Sequence, residues 1–210
     1  VAVDSDVAVD SDVAVDSDAT ATDLRAALGI PAGAERVLIF GQNAHLDIDW
    51  QLTFETYYTV FVAEIFSRAL DALAADPDYR YAICEMGYLR RFWDDHPERH
   101  EDLRRFAAEG RLVIVGGGVS SPDVLLPLGD NLLRAYRVGR AWLDAVGLPR
   151  SSSAWLPDDF GLGPTTPDLL ASQGFDAVAF WRADGSSDTP NQDASVGDFA
   201  AMSNVAGSGA

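Results

Sequence analysis

The sequence predicts an α/β fold of parallel β/α units, either an open sheet or an incomplete barrel. Five short apolar runs alternate with stretches of helical periodicity. The stretches between runs are too long for hairpins and carry helix signals, so neighbouring strands should be parallel. The chain has 210 residues, 48% of them hydrophobic, enough for one sizeable core.

The first 18 residues repeat Val-Ala-Val-Asp-Ser-Asp three times. Residues 1–30 are expected to be an acidic, disordered tail. The first strand is Val37-Leu38-Ile39-Phe40, a run of the kind a buried parallel strand uses. It leads into Gly41-Gln42-Asn43-Ala44-His45-Leu46-Asp47. A long helix follows, with Phe54, Tyr58, Phe61, Ile65, Ala69 and Leu73 on one face, and Asp76-Pro77 stops it. Residues 79–85 read as the second strand. Helical pieces near residues 88–94 and 98–109 come next, with Gly110 placed to end the second left-handed.

Leu112-Val113-Ile114-Val115 is the third strand and runs into Gly116-Gly117-Gly118. Asp130 is placed to cap a helix whose buried stripe is Leu132, Tyr136, Gly139, Trp142 and Val146, ended by Gly147 and Pro149. Ala154-Trp155-Leu156 is the fourth strand, leading into Pro157-Asp158-Asp159-Phe160-Gly161. Thr166 followed by Pro167 is a cap-then-N1 signature for a short helix that stops at Gly174. Ala177-Val178-Ala179-Phe180-Trp181 is the fifth strand. Residues 31–182 therefore read as one β/α domain, truncated before its architecture is complete. Residues 183–210 read as a low-complexity tail.

The charge balance narrows the partners. Asp and Glu number 33 against 15 basic residues, every one of them Arg, for a net charge of −18. Nucleic acid and anionic membrane surfaces would be repelled, whereas a neutral sugar is compatible. The single cysteine, Cys84, excludes an internal disulfide and a multi-thiolate zinc site. No apolar run reaches the ~18 residues of a membrane span, and no signal peptide is visible, so a cytoplasmic protein is expected. The sequence leaves the oligomeric state open.

In parallel α/β folds, functional groups collect at the carboxyl ends of the strands. His45 and Asp47 lie there, two residues apart, and share a face in extended backbone. Imidazole and carboxylate are both ordinary ligands of Zn²⁺ or another divalent cation. A lone His-x-Asp pair is more often a surface pair, or an Asp capping the next helix. Asp158 follows the fourth strand, where a carboxylate serves as metal ligand, nucleophile or simple turn residue. Asp159 fits either part on sequence alone. Trp50, Phe160 and Trp181 lie near strand ends, where aromatic faces can meet sugar rings, although core packing is the commoner role. His96 and His100 have the i, i+4 spacing of a metal pair in a polar stretch that reads more simply as a solvated helix start.

Taken in order, these clusters resemble glycoside hydrolase family 38, the α-mannosidases. His45-Leu46-Asp47-Ile48-Asp49-Trp50 is similar to the family's His-x-Asp-x-x-Trp motif. Thr53-Phe54-Glu55-Thr56-Tyr57-Tyr58 resembles the run that follows it. Gly117-Gly118 with Pro122-Asp123 resembles its Gly-Gly-x-x-x-Pro-Asp segment, and Asp158-Asp159-Phe160-Gly161 its Asp-x-Phe-Gly motif. The resemblance implies a seven-stranded β/α barrel, here incomplete. It implies a metal, usually Zn²⁺, held by His45, Asp47 and Asp158. It implies Asp158 as the nucleophile of a retaining hydrolysis of α-mannosidic bonds in mannose-containing oligosaccharides or glycosides. Trp50, Phe160 and Arg182 are the implied substrate contacts.

The chain also departs from the family. No histidine follows His100, so the last metal ligand of the family is not matched, and neither is its acid Asp. The expectation is an incomplete fragment of such an enzyme. Two other readings stand beside it. One is a degenerate, non-catalytic carbohydrate-binding domain. The other is a metal-dependent deacetylase-like hydrolase, which would need a second histidine near the first motif.

Overall fold

The computed structural model describes residues 42–180 apart from 122, 161 and 164, together with residues 26, 29–31 and 33–36. The chain divides into two units, residues 1–40 and residues 41–210. In the first unit two tight turns are described, one closed by Gly29 N–H donating to Ala26 O at 3.1 Å and one by Ala34 N–H donating to Pro31 O at 3.0 Å. The expected first strand at residues 37–40 and both expected tails lie outside the described residues, as do Trp181 and Arg182.

The second unit begins with a short strand, β1 (Gln42–Asn43). A helical stretch follows in three parts: α1 (Phe54–Tyr57), a π-helical turn at Tyr58–Val62, and α2 (Ala63–Ala75). The Thr53 hydroxyl caps α1 by accepting from Thr56 N–H at 3.3 Å. The π turn changes which residues face the core. Its wider step makes the buried series Tyr58, Val62, Phe66, Leu70 and Leu73. Phe61, expected on the buried face, is 45% exposed instead. The wider turn shifts the buried position from Phe61 to Val62, which sequence periodicity at 3.6 does not anticipate, while Ala69 and Leu73 are buried as expected.

Strand β2 (Tyr81–Ile83) leads into α3 (Met86–Asp95), a 3₁₀ turn at Pro97–Arg99, and α4 (His100–Ala108). Strand β3 (Leu112–Ile114) follows. Just before it, Arg111 donates to Leu73 O at 2.6 Å and to Asp76 O at 3.1 Å, binding carbonyls at and just beyond the end of α2. Helix α5 (Gly129–Val146) comes next, then β4 (Ser153–Leu156), α6 (Thr166–Ser172) and β5 (Ala177–Phe180). Two helix starts differ from expectation by one or two residues. Leu128, not Asp130, precedes α5, and Asp130 lies in its first turn, where a carboxylate favours the positive end of the helix dipole. Thr165 precedes α6, placing Thr166 within it. Gly147 ends α5 left-handed, with φ 74°, as expected.

All strand pairs described are parallel. The order β1-β2-β3 has Gln42 opposite Tyr81 and Ile83 opposite Ile114. The second sheet pairs β4 with β5, Leu156 opposite Phe180. One hydrogen bond ties them, Gly116 N–H to Ser153 O at 2.9 Å. Spatial order therefore follows chain order, without the reversal of a doubly wound sheet.

Two apolar clusters hold the unit together. The larger contains Phe66, Leu70, Leu89, Phe92, Leu103 and Phe106, all at 1% exposure or less. The smaller contains Val124, Leu132, Tyr136, Leu156, Leu170 and Phe175. Each such side chain contributes about 1.5–3 kcal/mol on burial. Helix α5 joins the two, with Leu143 in the first and Leu132 and Tyr136 in the second. Among the described residues no helix is long and apolar enough to cross a membrane.

Candidate metal centre at the strand ends

The residues after β1 alternate between core and cavity. Leu46 is 3% exposed and sits in the larger cluster, so His45 and Asp47 on either side of it face outward together. Two contacts hold this segment in place. The Tyr88 hydroxyl donates to Asp47 O at 2.7 Å, and the Tyr88 ring stacks on Phe54 with centroids 4.6 Å apart. Asp49 then turns left-handed, with φ 57°, and its Oδ1 accepts from Phe54 N–H at 2.6 Å. This turn carries Trp50 outward at 73% exposure.

Asp158 arrives from the turn after β4. His45 Nε2 lies 3.2 Å from Asp47 Oδ1 and 3.8 Å from Asp158 Oδ2. One ligand atom from each of the three residues lies within 4.8 Å of the other two. One imidazole and two carboxylates form a donor set that suits Zn²⁺ or a similar divalent cation. The three residues border a cavity of about 570 Å³, with Trp50, Leu126 and Phe160 also on its walls. Phe160 is 55% exposed, so neither aromatic is committed to the core.

The structure separates the two neighbouring aspartates. Asp158 lies beside His45 and Asp47, whereas Asp159 is 2% exposed and faces the loop after β3. Its carboxylate accepts from Val124 N–H at 3.2 Å. Burial first, and then the Asp123 carboxyl beside it, raise the Asp159 carboxyl to about 7 against the opposing pull of the Val124 amide. His96 and His100 each contact a neighbour of their own. His96 Nδ1 sits 3.0 Å from Glu98, and His100 Nε2 lies 2.7 Å from Trp93 O with its ring stacked on Trp93.

Glu85 is the site residue that the sequence reading missed. It follows β2, is 1% exposed, and accepts from the Ser121 hydroxyl at 3.0 Å. Burial pushes its carboxyl up to about 8, and the Asp47 charge adds to the rise. Its sequence signal was a lone acid closing the apolar run Tyr81-Ala82-Ile83-Cys84. Glu85, Ser120 and Ser121 line a second cavity, of about 190 Å³, that shares His45 and Asp47 with the first.

The Gly-rich loop after β3 leads into Ser120 and Ser121. Gly116 and Gly117 have φ 73° and 77°, a conformation that other residues adopt only with strain. Gly139 of α5 packs directly against the carbonyl of Gly117, so the loop lies flush on the helix.

The model of the glycosyl hydrolases family 38 N-terminal domain matches residues 37–196. Alpha-mannosidase 2 of Drosophila melanogaster is 31% identical over 141 residues, covering 67% of this chain and 13% of that protein. Alpha-mannosidase 2 of Arabidopsis thaliana is 32% identical over 143 residues, covering 67% and 12%. The matched region thus spans only about an eighth of these relatives. Among solved structures, an alpha-mannosidase from Enterococcus faecalis superposes with a TM-score of 0.59 at 24% identity, over 66% of this chain and 16% of that one. A 4-alpha-glucanotransferase from Thermococcus litoralis superposes with a TM-score of 0.55 at 18% identity, over 67% and 21%. At these identities the superpositions speak to fold alone.

Proposed function

The chain belongs to glycosyl hydrolase family 38, and from that premise we propose that it is part of the catalytic domain of a metal-dependent, retaining α-mannosidase. The observation that carries the reading is the meeting of His45, Asp47 and Asp158 beside a cavity of sugar size. These residues would hold Zn²⁺ or another divalent cation. When bound, the cation would orient sugar hydroxyls and keep the adjoining carboxylate ionised. The chain-order strand arrangement is compatible with the first part of a seven-stranded β/α barrel, whose sites open at the carboxyl ends of the strands.

In this reading Asp158 is the nucleophile. One of its carboxylate oxygens bonds to the anomeric carbon as the bond to the leaving oxygen breaks, and the leaving oxygen takes a proton from a second carboxyl group. Water then displaces Asp158 and returns a proton to that second group, leaving the anomeric configuration unchanged. None of the family motifs matched in this chain supplies the second carboxyl group. Trp50 and Phe160 offer exposed aromatic faces to the apolar C–H face of a mannose ring. Arg182, outside the described residues, is the third proposed sugar contact.

Calorimetric titration of Zn²⁺ into the full chain tests the metal centre. One cation should bind per chain, and His45→Ala and Asp158→Ala should each weaken it at least tenfold. Unchanged affinity in both variants would remove the metal from the proposal. A parallel assay with nitrophenyl α-mannoside separates an active segment from one that only binds sugar, which would take the metal and the glycoside without turnover.

A further inference from the structure

The mechanism above leaves the smaller cavity unused. It lies against the metal group, sharing His45, Asp47, Ile48 and Ser121 with the larger cavity. Its distinctive pair is Ser121 and Glu85, at 3.0 Å. Glu85 is 1% exposed, and its other oxygen, Oε2, has no hydrogen-bond partner among the described residues. A buried carboxyl group with an idle oxygen costs stability, and its presence calls for a role. Glu85 does not cap the helix it precedes. The first amides of that helix go elsewhere, Met86 N–H to Gly118 O at 3.3 Å and Gly87 N–H to Val119 O at 2.8 Å.

What Glu85 does hold is Ser121. By accepting the hydrogen bond from Ser121 it fixes the rotamer of a hydroxyl that would otherwise spin freely. The Ser121 oxygen is then left with its lone pairs, and the residue lines both cavities. A group sitting on the metal donors therefore meets a prealigned hydrogen-bond acceptor at its flank. The small cavity has room for about six waters at ~30 Å³ each. That is space for the hydroxyl edge of a pyranose, not for a second ring. Its acidic lining excludes anions, and its hydroxyls and carboxyls suit a neutral polyol edge.

We propose that Ser121, oriented by Glu85, is a specificity-determining sugar contact that accepts a hydrogen bond from a hydroxyl next to those held at the metal centre. Glu85 is the positioning residue. The inference rests on the metal-and-sugar reading above and deepens it by naming what selects the sugar.

The test uses the full chain loaded with Zn²⁺, with methyl α-mannoside and the series of its monodeoxy analogues as probes, and reads affinity by calorimetry or NMR titration. For the wild type, one analogue should bind about tenfold more weakly than the parent sugar. Ser121→Ala should weaken the parent sugar by a similar factor and erase that one difference, leaving the other analogues ranked as before. Ser121→Thr keeps a hydroxyl and should keep the discrimination. Glu85→Gln still offers an oxygen to Ser121 and should keep most of it. A purely structural role for Ser121 would weaken every ligand equally and preserve the difference, which overturns the inference. So does a Ser121→Ala protein that binds all probes as the wild type does, or one that loses Zn²⁺ as well. No sugar binding by the zinc-loaded wild type would instead overturn the metal-and-sugar reading, and this inference with it.

Discussion

Replacing Gly139 by Ala adds a single methyl group and should be among the most damaging small changes in this protein. A Cβ at that position lands on the carbonyl oxygen of Gly117, with the carbonyl carbons of Gly117 and Gly118 at 3.1 and 3.2 Å. Every obstructing atom is backbone, so no side chain can swing aside. Helix α5 and the Gly116–Gly118 loop must move apart instead, and α5 is clamped at both ends by Leu143 in one cluster and Leu132 and Tyr136 in the other. Overpacking a core by a methylene costs about 1–3 kcal/mol, and this contact with immobile backbone belongs at the upper end of that range. Gly129 supplies the internal control. It opens the same helix, and a Cβ there meets nothing within 4 Å. Gly129→Ala should therefore stabilise by about 0.4–1 kcal/mol through reduced freedom of the unfolded chain. Urea unfolding of both variants measures the two effects with opposite signs in one helix. A Gly139→Ala protein as stable as the wild type would refute the packing described here.

Substitutions at two further positions address the site. Glu85 has its carboxyl raised by burial from 4.5 to about 8, so folding favours the neutral form. Its stabilising contribution is complete below the unfolded value and is lost as pH rises through the folded one, by up to about 1.4 kcal/mol per pH unit. Glu85→Gln should flatten the fall in stability between about pH 5 and 8, read from urea midpoints at both ends of that window. Identical slopes for variant and wild type would contradict it. At Asp49, the left-handed backbone and the cap on Phe54 N–H act together. Asp49→Asn keeps both and should be nearly neutral, whereas Asp49→Ala loses both and should cost roughly 1–3 kcal/mol in thermal unfolding. Equal melting temperatures for the two variants would show that neither feature matters.

Local pattern was enough for most of the secondary structure. The apolar runs at β2, β3, β4 and β5 lie within one or two residues of their expected places, because a strand's burial is written in consecutive side chains. The helix face at α1 and α2 was legible at Tyr58, Ala69 and Leu73 but not across the π turn between them. There the turn displaced Phe61 in favour of Val62, since hydrogen-bond register within a helix leaves no mark on a 3.6-residue period. The expectation for α5 failed at Asp130 for a similar reason, because a capping residue type describes a preference and the chain ahead of the helix decides where the first turn closes.

The candidate site divides the same way. His45 and Asp47 share a face because alternation in extended backbone is a property of the chain itself, and the sequence alone determined that they point together. It also determined the acidic, lysine-free surface and the family motifs. Strand-end position alone left Asp158 and Asp159 equivalent, and only the motif resemblance preferred Asp158; the tertiary structure supplies the physical reason, since it brings Asp158 beside His45 and Asp47 while the Val124 amide holds Asp159 inward. The pairing of Glu85 with Ser121, and of Gly139 with Gly117, was invisible. Each joins positions on separate elements, and their distance depends on how the strands and α5 pack, a sum over many contacts that no short stretch of residues encodes.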